Sequence, residues 1–256
     1  MTMSKEREVS SGADRNASSS ARPVTVSITR RTVVIGLFII AGLLLVAHML
    51  VSLNRFMLDL RFFAADNLFV LFDMWSEVSI PSWYSVTLLL IATAILAVIT
   101  VAKYAAHDSF RLHWAALSVI FLALSVDEAA DIHGQVSYAL NEKLNTSGFL
   151  AYAWIIPAAV LVVVVGLAYL RFLVHLPASV RIRIIIAGAI FLSGALVMEA
   201  IEGRYDSSHG VETMTYRVMV GIEETLEMAG AILFISTLLA YLASLAEAVE
   251  LRIHPD

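Results

Sequence analysis

Cysteine is absent from the 256 residues, which excludes disulfides, thiolate metal centres and thiol chemistry. Charge is scarce as well. Asp, Glu, Lys and Arg make up 15% of the chain, against about 25% in an average soluble domain. Alternating apolar and polar positions between turn signals are missing, which argues against a β-barrel. The chain has no phosphate loop, no nucleotide or flavin fingerprint, no nucleophile motif and no nucleic-acid module. What remains is apolar: 59% hydrophobic residues and a mean hydropathy of +0.82.

Such a composition belongs to a polytopic membrane protein. A helix needs about 20 apolar residues to cross a bilayer, and six stretches qualify, 32–53, 82–103, 113–133, 150–174, 184–203 and 218–246. The sequence therefore predicts an all-α, six-transmembrane-helix bundle over residues 31–256. Residues 1–30, rich in Ser, Ala, Arg and Glu, read as a disordered tail. The apolar run after Arg30 and Arg31 is too long for a signal peptide and is taken as a retained first span.

Basic residues set the orientation. With the N-terminus inside, twelve Lys and Arg fall on the cytoplasmic side and five outside. Both termini are thus expected in the cytoplasm, with the plasma (inner) membrane as the host. Residues 54–80 read as an amphipathic helix on the outer leaflet, or as a helix extending the first span. Its Asp59, Asp66 and Asp73 recur every seven residues, which suits a solvated face. A lid over the acidic residues described next is the functional alternative.

The stretch "FLALSVDEAADIHG" carries Asp127, Glu128, Asp131 and His133 into the outer part of the third span, with no Lys or Arg beside them. At 1.5 Å per residue, Asp127 and Asp131 lie roughly 20 and 26 Å from its inner end. Glu199 and Glu202 reach a similar depth in the fifth span, and Glu223, Glu224 and Glu227 enter the sixth from outside. His48 of the first span arrives there too, at roughly 24 Å. Glu128/Asp131, Glu199/Glu202 and Glu224/Glu227 are i,i+3 pairs, each on one helical face. Apolar stretches of thirteen and fifteen residues, 113–125 and 184–198, are too short to span without drawing these acids into the membrane.

Acids at that depth are costly and cannot all stay ionised side by side. Protonation, a water-filled cavity or bound cations would each relieve them. A sulfur-free carboxylate set suits Mg²⁺, Mn²⁺ or Ca²⁺, and participation by His48 or His133 admits Fe or Zn. The pattern thus predicts a divalent-metal site made of Asp127, Glu128, Asp131, His133, Glu199, Glu202, Glu223, Glu224, Glu227 and His48. The expected activity is that of a metal-dependent enzyme acting on a lipid or lipid-linked group, with membrane lipids and no nucleic acid as partners. Asp127-Glu128-x-x-Asp131 resembles the motif that holds Mg²⁺-diphosphate in prenyl-diphosphate enzymes, and the outer Arg55, Arg61, Arg204 and Arg217 would serve a phosphate. The competing class is a proton- or cation-coupled transporter or channel. Such a pathway needs polar groups down to the cytoplasm, and the inner halves of the spans carry no charge.

Overall fold

A computed structural model describes residues 29–60 and 63–245; nearly all of the predicted tail, Arg61 and the last eleven residues lie outside them. The described residues form helices and no strand. Helix α1 (Arg30–Leu53) starts at the Thr29 side chain, which accepts from the Thr32 amide, and runs into a π-helical turn, Asn54–Leu58. A short α2 (Ala65–Phe72) follows. The next helix, α3 (Ile80–Ala105), is set by the Ser79 cap and by Pro81 in its first turn, where a missing amide costs nothing. It is followed by α4 (Arg111–Ala130), α5 (Ile132–Leu144) and α6 (Ile155–His175). Then α7 (Ala178–Leu192) continues through a π-helical segment, Ser193–Met198, into α8 (Glu199–His209), and α9 (Met214–Leu245) closes the bundle.

Among the described residues six helices are long and apolar enough to cross a membrane: Arg30–Leu58, Ile80–Ala105, Arg111–Ala130, Ile155–His175, Ala178–His209 and Met214–Leu245. They overlie the six predicted stretches. The 54–80 segment, by contrast, is not one helix. Asp59 and Ala64 take positive φ, and after Phe72 the chain turns through residues 73–79 before α3 begins. Its aspartates part company accordingly: Asp66 is exposed, while Asp73 is buried at 3% exposure. The spacing of seven was not the mark of a common solvated face.

Helix α9 is the axis of the fold. It packs along α1, α3 and α7, and α4 packs along α3. Leu88, Ala92, Leu96 and Ile99 of α3 interlock with Ile232, Ile235 and Leu238 of α9 in a fully buried seam. Gly230 lets α9 approach so closely that a Cβ there would overlap the Phe191 backbone. Leu43 and Leu50 of α1 and Leu161 and Leu167 of α6 point outward and stay more than 60% exposed.

Candidate functional site

At the end of the bundle where α4 stops and α9 starts lies a cavity of about 460 Å³. Asp127, Glu128, Asp131, His133, Glu199, Glu202, Glu223, Glu224 and Glu227 all line it. Nine of the ten residues singled out by the sequence therefore share one space, drawn from α4, α5, α8 and α9. Glu77 and Asp206 join them, and among the described residues no Lys or Arg lines the wall. The walls also carry Trp75, Tyr152, Trp154 and Tyr216, while Leu89, Leu124 and Phe191 add apolar surface.

The third predicted span does not run unbroken to His133. Asp131 takes a left-handed conformation (φ 48°) that ends α4 and starts α5, with its carboxylate accepting from the Gly134 amide at 3.1 Å. A methyl group on Gly134 would overlap that carboxylate. On a continuous helix His133 would point about 200° away from Asp131. The break turns it back, so that the His133 amide donates to Asp127 Oδ1 at 2.8 Å and Nδ1 sits 3.1 Å from Asp127 Oδ2. Nε2 then faces Asp131 Oδ1 at 3.8 Å.

Glu77, from the turn before α3, completes this group: one oxygen of Glu77, one of Asp131 and one ring nitrogen of His133 lie within 4.8 Å of one another. Glu77 Oε2 is buried without a hydrogen-bond partner. Burial raises the Glu77 pKa, Asp131 and Asp127 add to the rise, and His133 opposes it. Burial disfavours the imidazolium of His133, but the hydrogen bond and charge of Asp127, with Glu199 and Glu77 behind it, outweigh that and push its pKa up to about 9.

Glu199 and Glu202 are aimed into the cavity by the π-helical segment before α8. Gly194 in that segment touches α9, and a Cβ there would meet Glu223 O at 2.8 Å. Trp154 Nε1 donates to Glu199 Oε1 at 2.6 Å. Glu202 is 2% exposed and its Oε1 has no hydrogen-bond partner. The other glutamates keep part of their surface open to the cavity. Tyr152 and Tyr216 join their hydroxyls at 2.7 Å along the wall.

His48 is the exception among the predicted ligands. It is fully buried between α1 and α9 and does not line the cavity. Nε2 pairs with Arg217 O at 2.9 Å, and Nδ1 accepts from the Met74 amide at 3.0 Å. With both ring nitrogens engaged, it has no lone pair to give a metal; it fixes α1 to α9 and to the turn that carries Glu77. Arg217 lies beside it, 1% exposed, with its guanidinium within 6 Å of the Phe56, Phe69, Trp75 and Tyr216 rings. Asp73 Oδ2 balances its charge at 3.6 Å. Burial nevertheless raises the Asp73 pKa against the pull of Arg217.

Arg217 is thus not free for a phosphate. Arg55 pairs with Asp66, Arg204 donates to Ser208, and neither lines the cavity; Arg61 lies outside the described residues. Sequence reasoning missed Glu77, which it grouped with the amphipathic segment, and Asp206, which it left in the last outer segment. The only signal for Glu77 was its position four residues after Asp73.

Residues 34–242 match the model of a domain of unknown function (DUF8692), and the chain belongs to that family. No curated protein and no solved structure matches it.

Proposed function

We propose that this DUF8692 protein is a six-span protein of the plasma (inner) membrane, with both termini in the cytoplasm, that binds a divalent metal ion in its outer cavity and uses it to act on a lipid or lipid-linked group. The observation that carries this reading is the group Glu77, Asp131 and His133. At metal–ligand distances near 2.1 Å, donor atoms round one ion lie about 3 to 4 Å apart. A closing of less than about 1 Å would bring these three into that range. Asp127 holds Nδ1, as carboxylates do behind metal-binding histidines, and so presents Nε2 to the ion. Three protein ligands leave positions open for water and substrate, which is the arrangement of catalytic rather than structural metals. The mixed N/O set suits Mn²⁺, Fe²⁺ or Zn²⁺ better than Ca²⁺. In such a site the metal polarises a substrate oxygen or activates a bound water.

Topology and packing support a one-sided site rather than a conduit. The basic residues favour termini on the inner side, which puts the cavity outside. On its inner side the carboxylates give way to the seam of Leu88, Ala92, Leu96, Ile99, Ile232, Ile235 and Leu238, buried and apolar throughout. An ion pathway needs polar groups there. Outward-facing Leu and Val on α1 and α6 suit lipid.

Elemental analysis of detergent-purified protein, with melting in Mn²⁺, Mg²⁺, Ca²⁺, Zn²⁺ or EDTA, tests the reading. A metal bound only to the native state adds about 2.7 kcal/mol at a hundredfold excess over Kd. Melting should rise with metal and fall with EDTA; Glu77→Gln and His133→Gln should abolish the response, and Glu128→Gln or Glu199→Gln should blunt it. If no divalent ion co-purifies and none moves the melting temperature, the metal reading is wrong. Flux of Mn²⁺ into proteoliposomes would instead establish the carrier.

A further inference from the structure

The cavity glutamates of α4, α8 and α9 have no part in the group formed by Glu77, Asp131 and His133. Among the described residues that group alone brings three donor atoms within 4.8 Å; no three of the glutamates of α4, α8 and α9 come that close. They face a volume of about 460 Å³, the size of a small-molecule cleft rather than of one ion. Among the described residues no Lys or Arg lines it, and Glu202, one of its lining residues, is 2% exposed with an Oε1 that has no hydrogen-bond partner. A buried polar atom without a partner is destabilising, and a ligand donating to it would relieve that.

The walls say what kind of donor fits. Trp154 closes one side, with its indole nitrogen committed to Glu199, and Tyr152 and Tyr216 close another with their hydroxyls joined. Tyr216 is 1% exposed and borders Arg217, and Trp154 packs on one side against His133. Tyr152 and Trp154 nevertheless keep part of their surface exposed, and aromatic faces attract cations. The protein builds this pairing once already, one wall away. There Arg217 sits 4.6 Å from the Trp75 ring and 3.6 Å from Asp73. An anionic ligand, by contrast, would meet ten carboxyl groups with only His133 and the metal to balance them.

We infer that the cavity binds an organic ammonium group beside the metal group, held by Glu202 and Glu223 next to its aromatic walls, so that the substrate presented to the metal is an amine-bearing molecule. This rests on the reading of the cavity as a ligand site open to the outer face. It narrows the lipid or lipid-linked group to one with a cationic head. Ethanolamine carries such an ammonium group free in solution; choline carries the same charge without an N–H to donate.

The probes are therefore ethanolamine and choline in solution, and phosphatidylethanolamine in nanodiscs otherwise made of phosphatidylglycerol. Melting and tryptophan emission are followed for metal-loaded and for EDTA-treated protein. Saturable stabilisation by the free amines points to a soluble substrate; stabilisation by the amine lipid alone points to a lipid head group. Either outcome supports the inference, provided that Glu202→Gln/Glu223→Gln weakens binding by at least about tenfold, an ion pair's worth of roughly 1.4 kcal/mol. Metal content of that variant, unchanged, shows that it is folded. If none of the three probes acts on wild-type protein that still binds metal, the inference is overturned and the metal reading stands. The same holds if the double variant binds the amines as well as wild type. Amine binding to a protein that takes up no metal would sink the metal reading alone.

Discussion

Replacing Asp73 by Ala leaves Arg217 charged and without its close counter-ion. Arg217 is 1% exposed, and its other carboxylate neighbour, Glu212, stands 3.9 Å off with a side chain 71% exposed. Such a solvated partner returns less than about 1 kcal/mol. Breaking a buried ion pair by removing one member costs about 3–5 kcal/mol. The four surrounding rings persist and keep part of the guanidinium's stabilisation, roughly 2 kcal/mol for a desolvated site. The expected loss is therefore near the lower end, about 3 kcal/mol. Asp66→Ala breaks the pair with Arg55, in which the side chains are 53% and 90% exposed, and should cost less than about 1 kcal/mol. Asp73→Ala/Arg217→Met, with neither charge left, should be less damaging than Asp73→Ala alone. Reversible unfolding in mixed micelles by SDS measures all three. If Asp73→Ala is as mild as Asp66→Ala, or the double variant is the worst of the set, the burial of this pair does not govern stability and the account of it fails.

Four further outcomes are expected. Gly194→Ala pushes a methyl group onto the α9 backbone at Glu223 O; overpacking of this kind costs about 1–3 kcal/mol, and thermal melting should show it, whereas Gly36→Ala, with open space around it, should be neutral. In EDTA-treated protein the raised pKa of His133 adds stability that is complete below its ordinary value of 6.5 and fades as pH rises through about 9; a pH series of melting curves should lose this slope in His133→Gln. Cysteines placed singly at Ser147 and Ser207 should react with an impermeant maleimide in sealed cells and one at Ser179 should not; the reverse pattern would invert the topology. Gly134→Ala should weaken metal uptake in elemental analysis, because it dislodges the Asp131 carboxylate, while leaving the six long helices in place by circular dichroism.

The spans were legible because an apolar run of helical length admits few other structures. The convergence of α4, α8 and α9 was legible for a related reason: the depth of a residue in a crossing helix follows from its count, and i,i+3 spacing fixes its face. What the count does not contain is a change of direction. Asp131 carries no sign of its left-handed turn, since only glycine announces positive φ and Asp adopts it without a distinct pattern. That turn is what brings His133 back to Asp127. Asp73 shows a second limit. A heptad of aspartates looks alike whether its partner is water or an arginine 144 positions on, and Arg217 itself read as an outer residue free for phosphate. His48 has the depth of a ligand but faces α9, because azimuth about a helix axis depends on neighbours whose packing the sequence does not print. Glu77 was hidden by the same uncertainty: a helix over 54–80 would have carried it past the cavity.

The π-helical segment at Ser193–Met198 has a meaning in terms of phase. Each residue of an α-helix advances about 100°, and a single π turn takes up one extra residue without disturbing the helix on either side. Gly230 fits against Phe191 below the segment, and Glu199 and Glu202 face the cavity above it. Wound as plain α-helix, the same residues would hold only one of these faces in place and turn the other by about 100°, sending both glutamates away from Glu223. The segment therefore acts as a phase corrector between a packing surface and a chemical one. Shortening the chain by one residue there restores a regular helix with both faces aligned.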